Sequence, residues 1–394
     1  MAEKGNIEPN PRILLYTRIR RTPYFHASRQ HGVKVYSVYN HFYHPRHYGD
    51  PVEEYWHLLN EVTMWDVGVE RQIEISGPDA FTFTNMLVPR DLNKCKVGQC
   101  KYVFITAPDG GIINDPVLLR TGENRFRLSL ADSDVDLWAM GLAHHSGLDV
   151  TIREVDIAPL QIQGPKAKEV MRELFGPEVP EIPYYDMALD LTLDGMNVEV
   201  SRTGYSGEIG FEIYLHEASK HAQRLWDLVL EAGRPYNLRV IGPCHIRRIE
   251  AGILAYGADM WLDNNPYEVG WGYKWMVDLE QEADFIGKDA LKKINQEGVR
   301  QKLVGVEMEG ESMGTYIDSE MIDFYPVYAD GRQVGRVTSA CHSPRLEKNI
   351  GFAMVPIEFE DLGTTLEVDT PSGRSKAVVV EKPFVDPTKE IPKG

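Results

Sequence analysis

Twice in this chain a Gly-Pro pair interrupts a strand pattern and opens a helix. Gly77-Pro78 precedes the run Phe81–Leu87, and Gly164-Pro165 precedes Lys166–Leu174. Proline suits a first helical turn, where its missing N–H leaves no bond unmade, and glycine suits the turn before it. The surroundings repeat as well. Trp65–Ser76 alternates as a strand ahead of the first pair, and Tyr102–Thr106 and Val117–Leu119 flank the turn Pro108-Asp109-Gly110-Gly111. After the second pair, Asn197–Arg202 and Gly210–Leu215 alternate, and Glu217–Ala232 has helical spacing at Ala222, Leu225, Trp226 and Val229. A further helix is expected over Val52–Met64, from Tyr55, Leu58, Leu59 and Val62. We read an internal duplication of β-α-β-β units. Strands and helices in adjacent hairpins make the fold class α+β, not a single doubly wound parallel sheet.

From Leu303 onward the pattern changes to short strands and glycine turns, which predicts a β-barrel of about 90 residues. The boundary is expected near Gln296–Gln301. For 394 residues, two to three domains are expected. The expected division is a region 1–300 of two interleaved α+β subdomains, roughly 1–60 with 150–240 and 61–149 with 241–300, followed by a barrel over 301–394.

Charge and composition narrow the function. With 42 basic and 59 acidic side chains the formal net charge is −17, which repels phosphate backbones and anionic membrane surfaces. Nucleic acid and membrane are therefore not expected partners. The opening MAEKGNIEPNPR lacks the apolar core of a secretory signal, and no apolar run approaches 18 residues. Cys95, Cys100, Cys244 and Cys341 form no CxxC pair, which fits thiols in a reducing cytoplasm. No cluster has metal-ligand spacing and no GxGxxG opens a strand–helix unit.

Four stretches can carry chemistry. In RTGYSGEIGFEIYL (Arg202–Leu215) three glycines require a tight turn or a close approach. Glu212 there shares a strand face with Gly210 and Tyr214, with Phe211 and Ile213 on the other. It is either an exposed strand glutamate or a pocket carboxylate able to accept two hydrogen bonds from a flat ring such as a pterin. IGPCHIRRIEAGILAYG (Ile241–Gly257) starts a helix carrying Arg248 and Glu250, whose charges are expected to face solvent. In DGGIINDP (Asp109–Pro116) the polar pair Asn114-Asp115 interrupts an apolar strand, either at a strand end or as an acid set in a cavity. GRVTSACHSPRLEKNIGFAMV (Gly335–Val355) reads as strand, loop and strand.

In this order, RTGYSGEIGFEIY, RIEAGILAYG, FIGKDAL (Phe285–Leu291) and GRVTSACHSP resemble the aminomethyltransferase family: the T-protein of the glycine cleavage system and its folate-dependent relatives. The resemblance covers roughly residues 22–385. It implies a three-domain cloverleaf with a C-terminal β-barrel and tetrahydrofolate as cofactor, held in a central channel. It implies that Glu212 bonds the pterin, that Tyr102 lines the folate site, and that Asn114-Asp115 holds the catalytic aspartate. Tyr205 joins these as a catalytic candidate and Arg248 as a folate contact. Glycine-cleavage T-proteins differ at three places, where this chain has Asn114, DVGVER (Asp66–Arg71) and Cys244. The N-terminal RRTPYF…HGVKVYSVYNH, YWHL at Tyr55–Leu58, WDVGVERQ and ADSDVDLW (Ala131–Trp138) look closest to the dimethylsulfoniopropionate demethylase branch. YSGEIGFE departs from that branch too.

The implied reaction moves a methyl group from a small anionic S- or O-methyl compound to N5 of tetrahydrofolate, giving 5-methyltetrahydrofolate. The donor is either like dimethylsulfoniopropionate or an aryl methyl ether such as vanillate, syringate or dicamba. Alternatives are glycine-cleavage aminomethyl transfer and a non-catalytic folate-binding protein. Tyr24, His26, Tyr36, Tyr39 and His44, in the His- and Tyr-rich stretch Thr22–Tyr48, are candidate donor contacts. Arg20, Arg21, Arg29, Lys34, Arg46 and Arg71 are expected to offset the protein's charge there. The oligomeric state is left open. Since no metal, flavin or cobalamin is expected, turnover should survive chelator treatment in a colourless preparation; activity lost to chelator and restored by zinc or iron would refute this.

Overall fold

The computed structural model describes residues 16–315 and 325–394. The polar opening segment and residues 316–324 of the barrel region lie outside the described residues. A six-stranded sheet runs in the order Met187–Leu193, Met196–Ser201, Gly210–His216, Ile157–Gln163, Thr63–Asp66 and Arg239–Val240. Phe211, Ile213 and Leu215 point from it into a core shared with Leu225, Trp226 and Val229 of helix Ala218–Gly233. A five-stranded sheet runs Thr151–Glu154, Gln72–Ser76, Arg125–Ser129, Val117–Gly122 and Gln99–Tyr102. Six strands from Gln301–Met308 to Gly373–Val380 close a barrel around Val304, Val306, Val327, Val337 and Val368.

The two sheets trade one strand each. Thr63–Asp66 comes just before Gln72–Ser76 in sequence, yet it pairs antiparallel with Ile157–Gln163 in the other sheet. Thr151–Glu154 comes just before Ile157–Gln163, yet it pairs with Gln72–Ser76. The single strand expected over Trp65–Ser76 is therefore two. The chain turns after Asp66, where Asp66 Oδ1 accepts from the Gly68 amide at 3.1 Å and the Glu70 amide donates to the Val67 carbonyl at 2.9 Å. Alternation alone could not reveal this, because both pieces alternate.

The two Gly-Pro elbows lock the exchange. Gly77 and Gly164 have φ of +128° and +125°, a region that side chains disfavour. A Cβ on Gly77 would lie 2.6 Å from the Asp149 carbonyl oxygen, and one on Gly164 2.5 Å from that of Glu61. Asp149 and Glu61 each lead the chain into an exchanged strand. We propose the interleaved division of residues 1–300 on this basis, with the crossings at residues 67–71 and 155–156 and the barrel over 301–394.

Three further features place the site. Helix Pro51–Asn60 is capped by Asp50, which accepts from the Val52 and Glu53 amides, and is shorter than expected because the chain turns into Thr63–Asp66. The strands Val35–Tyr39 and Phe42–His47 form a hairpin whose two turn residues, Asn40 and His41, have φ of +48° and +66°, the turn that matches strand twist. Asn40 docks it: its amide donates to Asp132 Oδ1 at 2.8 Å and its side chain to the Leu130 carbonyl at 3.1 Å. The short helix His245–Glu250 does not turn its charges to solvent. Arg247, Arg248 and Glu250 are all buried, with Arg247 on Glu208 at 2.7 Å and Arg248 on Asp259 at 2.5 Å. All four cysteines are buried and free, and among the described residues no helix is long and apolar enough to cross a membrane.

The hairpin meets the segment before that short helix with almost no clearance. A Cβ on Gly242 would stand 2.0 Å from the Arg46 carbonyl oxygen, backbone against backbone. Gly242→Ala should therefore destabilise the chain by about 1–3 kcal/mol, the usual cost of overpacking. An unchanged urea midpoint would contradict this contact.

Candidate active site around Asp115

Asp115 follows the short strand Ile112–Asn114. Tyr102, at the end of strand Gln99–Tyr102, donates its hydroxyl to Asp115 Oδ2 at 2.9 Å. Asp115 Oδ1 is buried without a hydrogen-bond partner among the described residues. Burial pushes the Asp115 carboxyl up to about 8, against the Tyr102 bond, which favours the ionised form. Asn114 is spent elsewhere: its side chain donates to the Ala131 carbonyl at 2.9 Å and to Ser133 Oγ at 2.8 Å, and accepts from the Ala131 amide at 3.1 Å. Of the polar pair, only Asp115 keeps an open oxygen.

Tyrosines surround it. Tyr39, at the tip of the docked hairpin, has its hydroxyl held well above the ordinary value by burial and then by the Asp115 charge. Tyr205 is pushed up to about 12 by burial, and its hydroxyl donates to the Leu254 carbonyl at 3.2 Å. Tyr256 is also pushed up to about 12 by burial, with the charges of Asp115, Asp132 and Asp263 adding to it. Tyr102 itself packs 5.2 Å from the ring of Trp271.

Glu212 is buried, 3% exposed, so it is not a solvent-facing strand glutamate. Gln161, its cross-strand neighbour, donates to Glu212 Oε1 at 2.6 Å, and Tyr214 donates to Oε2. Burial raises its carboxyl. Gln161 Oε1 is left without a partner. The close approach that the glycines implied is made by Gln163: a Cβ on Gly204 or Gly210 would lie 2.2 or 2.3 Å from its amide.

Glu70 joins the two acids. Ser129 Oγ donates to its Oε2 at 2.7 Å, and burial, then the Glu212 and Asp115 charges, hold its proton on. Sequence reasoning missed Glu70, Gln161 and Tyr256. Glu70 stood inside DVGVER, and its signal was Gly68, the point where the alternation breaks.

Not every candidate reaches this group. Tyr24 lies in the core beside Trp226 and donates to the Ala158 carbonyl at 3.1 Å, which removes it from the donor contacts. His26 is exposed and packs edge-on against Phe25. Tyr36 belongs to the ring stack of Phe25 and Tyr43. His44 packs on Tyr39, but burial holds it well below the usual histidine range, so it stays neutral. Arg248 is tied to Asp259 and to Ser339 Oγ at 2.6 Å. Arg20 and Arg71 are spent on Glu154, Asp134 and Asp136. Arg46 alone of the expected cations has a charge that acts on both Tyr205 and His44.

A tetrahydropterin fits what is left over. Its pyrimidine edge carries N–H donors, and the site holds a buried acceptor without a partner, Gln161 Oε1, beside the Glu212 carboxyl. Unpaired buried acceptors are costly, which a donor-bearing ring relieves.

The comparisons agree with this geometry. The GCVT N-terminal domain matches residues 24–281, and the glycine cleavage T-protein C-terminal barrel domain matches 301–386. The chain belongs to the glycine cleavage T-protein family. It is 38% identical over 364 residues to dimethylsulfoniopropionate demethylase DmdA of Ruegeria pomeroyi, covering 92% of this chain and 97% of that protein. It is 32% identical over 375 residues to aminomethyltransferases of Bacillus cytotoxicus and Bacillus cereus, covering 94% of this chain and 99% of theirs. The glycine cleavage system aminomethyltransferase T of Bartonella henselae has the same fold, with a TM-score of 0.83 at 22% identity over 94% of this chain and 99% of that one. The chain is a tetrahydrofolate-dependent transferase of this family.

The Tyr102 bond favours the ionised Asp115, so Tyr102→Phe should raise the Asp115 pKa further above about 8. An NMR titration of the labelled carboxyl reads the shift, and a fall would contradict the assigned partner.

Proposed function

We propose that the chain demethylates a small zwitterion, a methylsulfonium carboxylate of the dimethylsulfoniopropionate type, with tetrahydrofolate as methyl acceptor. The observation that carries this is the setting of Asp115: one open carboxylate oxygen among Tyr39, Tyr205 and Tyr256, with Asp132 and Glu70 close by. Aromatic faces and an acid attract a positive sulfur centre. An anionic aryl ether would meet acids instead. The 38% identity to the Ruegeria pomeroyi demethylase supports the same donor class.

Tetrahydrofolate, when bound, supplies the nucleophilic ring nitrogen. Glu212 and Gln161 orient its pyrimidine edge, and Tyr102 packs beside it. Asp115 and the tyrosine rings hold the sulfonium, and Arg46 meets the donor's carboxylate. Such positioning is the main need of an in-line methyl transfer. The leaving group is a neutral sulfide, so no general acid is called for; the N–H proton that the methylated ring nitrogen sheds passes to solvent, and the neutrality of His44 costs nothing. The donor is a small molecule, and the work is cytoplasmic.

Two measurements test this. Glu212→Ala should weaken tetrahydrofolate binding by more than about 1.5 kcal/mol, the range of a charge-assisted hydrogen bond; unchanged affinity by calorimetry would sink Glu212 as the anchor. In the free protein Asp115 keeps its proton below about 8. Raising the pH from 6 towards 8.5 ionises it, so the KM for a sulfonium donor should fall over that range and become flat in Asp115→Asn. The readout is 5-methyltetrahydrofolate formed from dimethylsulfoniopropionate, with vanillate, syringate, dicamba and lipoyl-bound aminomethyl run in parallel. If the lipoyl-bound group proves the only accepted donor, the T-protein reaction replaces this one.

A further inference from the structure

A line of buried side chains leads from the junction of the two sheets to Glu70. Arg127, of strand Arg125–Ser129, reaches across to Glu199, of strand Met196–Ser201 in the other sheet. Its Nη2 donates to Glu199 Oε2, and its Nε donates to Gln72 Oε1 at 3.1 Å. Gln72 Nε2 donates to Ser129 Oγ at 2.7 Å and to the Glu70 carbonyl at 2.8 Å. Ser129 Oγ then donates to Glu70 Oε2 at 2.7 Å. Arg127, Gln72 and Ser129 are all buried, so water does not compete for these bonds.

Each bond in the line has one possible direction. A guanidinium only donates, and a peptide carbonyl only accepts. Held between them, the Gln72 amide cannot turn over: that would set its oxygen against the Glu70 carbonyl and its NH2 against Arg127. Ser129 Oγ therefore receives an N–H from Gln72, and its own proton goes to Glu70 Oε2. A neutral carboxyl that accepts at Oε2 carries its proton on the other oxygen. Glu70 Oε1 has no hydrogen-bond partner among the described residues, and Glu70 keeps part of its surface open.

The same arginine bears on Glu212. Among the described residues neither Glu70 nor Glu212 has an ion pair, and two acids whose charges act on each other do not both ionise cheaply. Glu212 takes two donors, Gln161 and Tyr214, and Glu70 takes one. Arg127 lies over the Tyr214 ring at 4.9 Å, which strengthens that hydroxyl as a donor. Glu212 is thus the member that ionises first. Glu70 keeps its proton, as burial and the Glu212 and Asp115 charges also require.

We propose that Glu70 binds the tetrahydropterin as a neutral acid, donating from Oε1 to the ring's carbonyl oxygen, and that Arg127, Gln72 and Ser129 are positioning residues that hold its proton on that oxygen. A pyrimidinone edge carries a carbonyl acceptor beside N–H donors, which matches a neutral donor paired with an anionic acceptor. The proposal rests on tetrahydrofolate as the ligand of the Asp115 site and is independent of the methyl donor.

Calorimetry on the full chain tests it with two ligands: 6-methyltetrahydropterin and its 4-amino analogue, which puts an NH2 donor where the pterin has its carbonyl. The readout is the ratio of the two affinities. Glu70→Ala should lower the ratio of pterin to analogue about ten-fold, the effect of one good hydrogen bond. Glu70→Gln should hold it at the wild-type value, because the amide oxygen takes the Ser129 bond and leaves the NH2 in the place of Oε1. Gln72→Leu should lower it as well, although Glu70 is untouched, since Ser129 can then accept from Glu70 Oε2 and Oε1 turns acceptor. A urea midpoint checks that this variant folds; if it does not, Ser129→Ala takes its place with the same expected fall. A ratio that Glu70→Gln lowers as far as Glu70→Ala does would overturn the proposal, as would an unchanged ratio in Gln72→Leu. If the wild type binds the pterin and Glu70→Ala leaves the ratio unmoved, this inference fails and the proposed reaction stands. If the wild type binds neither ligand, both fall.

Discussion

The exchange of Thr63–Asp66 and Thr151–Glu154 between the two sheets is the constraint on which the rest depends. Each sheet is completed by a strand whose neighbour in sequence belongs to the other sheet, so neither can be whole without its partner. The Gly-Pro elbows hold the crossing, because Gly77 and Gly164 let two backbones approach to a distance that any Cβ would forbid. The crossing also explains where the chemistry lies. The turn that ends Thr63–Asp66 carries Glu70 between the sheets, next to Ser129 of one and in reach of the Glu212 charge from the other.

Between these sheets the protein accepts a costly arrangement. Asp115, Glu70 and Glu212 are all buried, and burial raises each of their carboxyls. The nearby arginines do not neutralise them, since Arg248 is bound to Asp259 and Arg71 to Glu154, Asp134 and Asp136. Hydroxyls do part of that work: Tyr102 on Asp115, Tyr214 on Glu212 and Ser129 on Glu70. The remaining capacity, Asp115 Oδ1 and Gln161 Oε1, faces no protein donor among the described residues. Acceptors left open in this way are the ordinary mark of a site preorganised for a ligand.

The legible parts of the sequence were those governed by short-range patterns. The alternation at Gly210–Leu215 set Phe211 and Ile213 against Glu212 and Tyr214, and those four side chains divide in that way. The glycines of Arg202–Leu215 announced a close approach, and Gln163 makes it. The loss of helical spacing after Gln301 marked the barrel. The aromatic stretch Thr22–Tyr48 was harder to sort. Its five candidates have similar composition, and only the docking of the Asn40-His41 turn on Leu130 and Asp132 separates Tyr39 from Tyr24, His26 and Tyr36.

By itself, then, the sequence determined the α+β class, the barrel and the family, because propensity, periodicity and motif order act over a few residues at a time. Tertiary structure alone decided which strand completes which sheet, since Trp65–Ser76 alternates whether it is one strand or two. It also decided the charges. Arg248, Glu250 and Glu212 are polar residues whose sequence neighbours do not distinguish burial from exposure. Whether each is paired, protonated or left waiting for a ligand depends in good part on groups that the fold brings in, as Asp259 comes to Arg248 from 11 residues away and Tyr55 to Glu250 from 195.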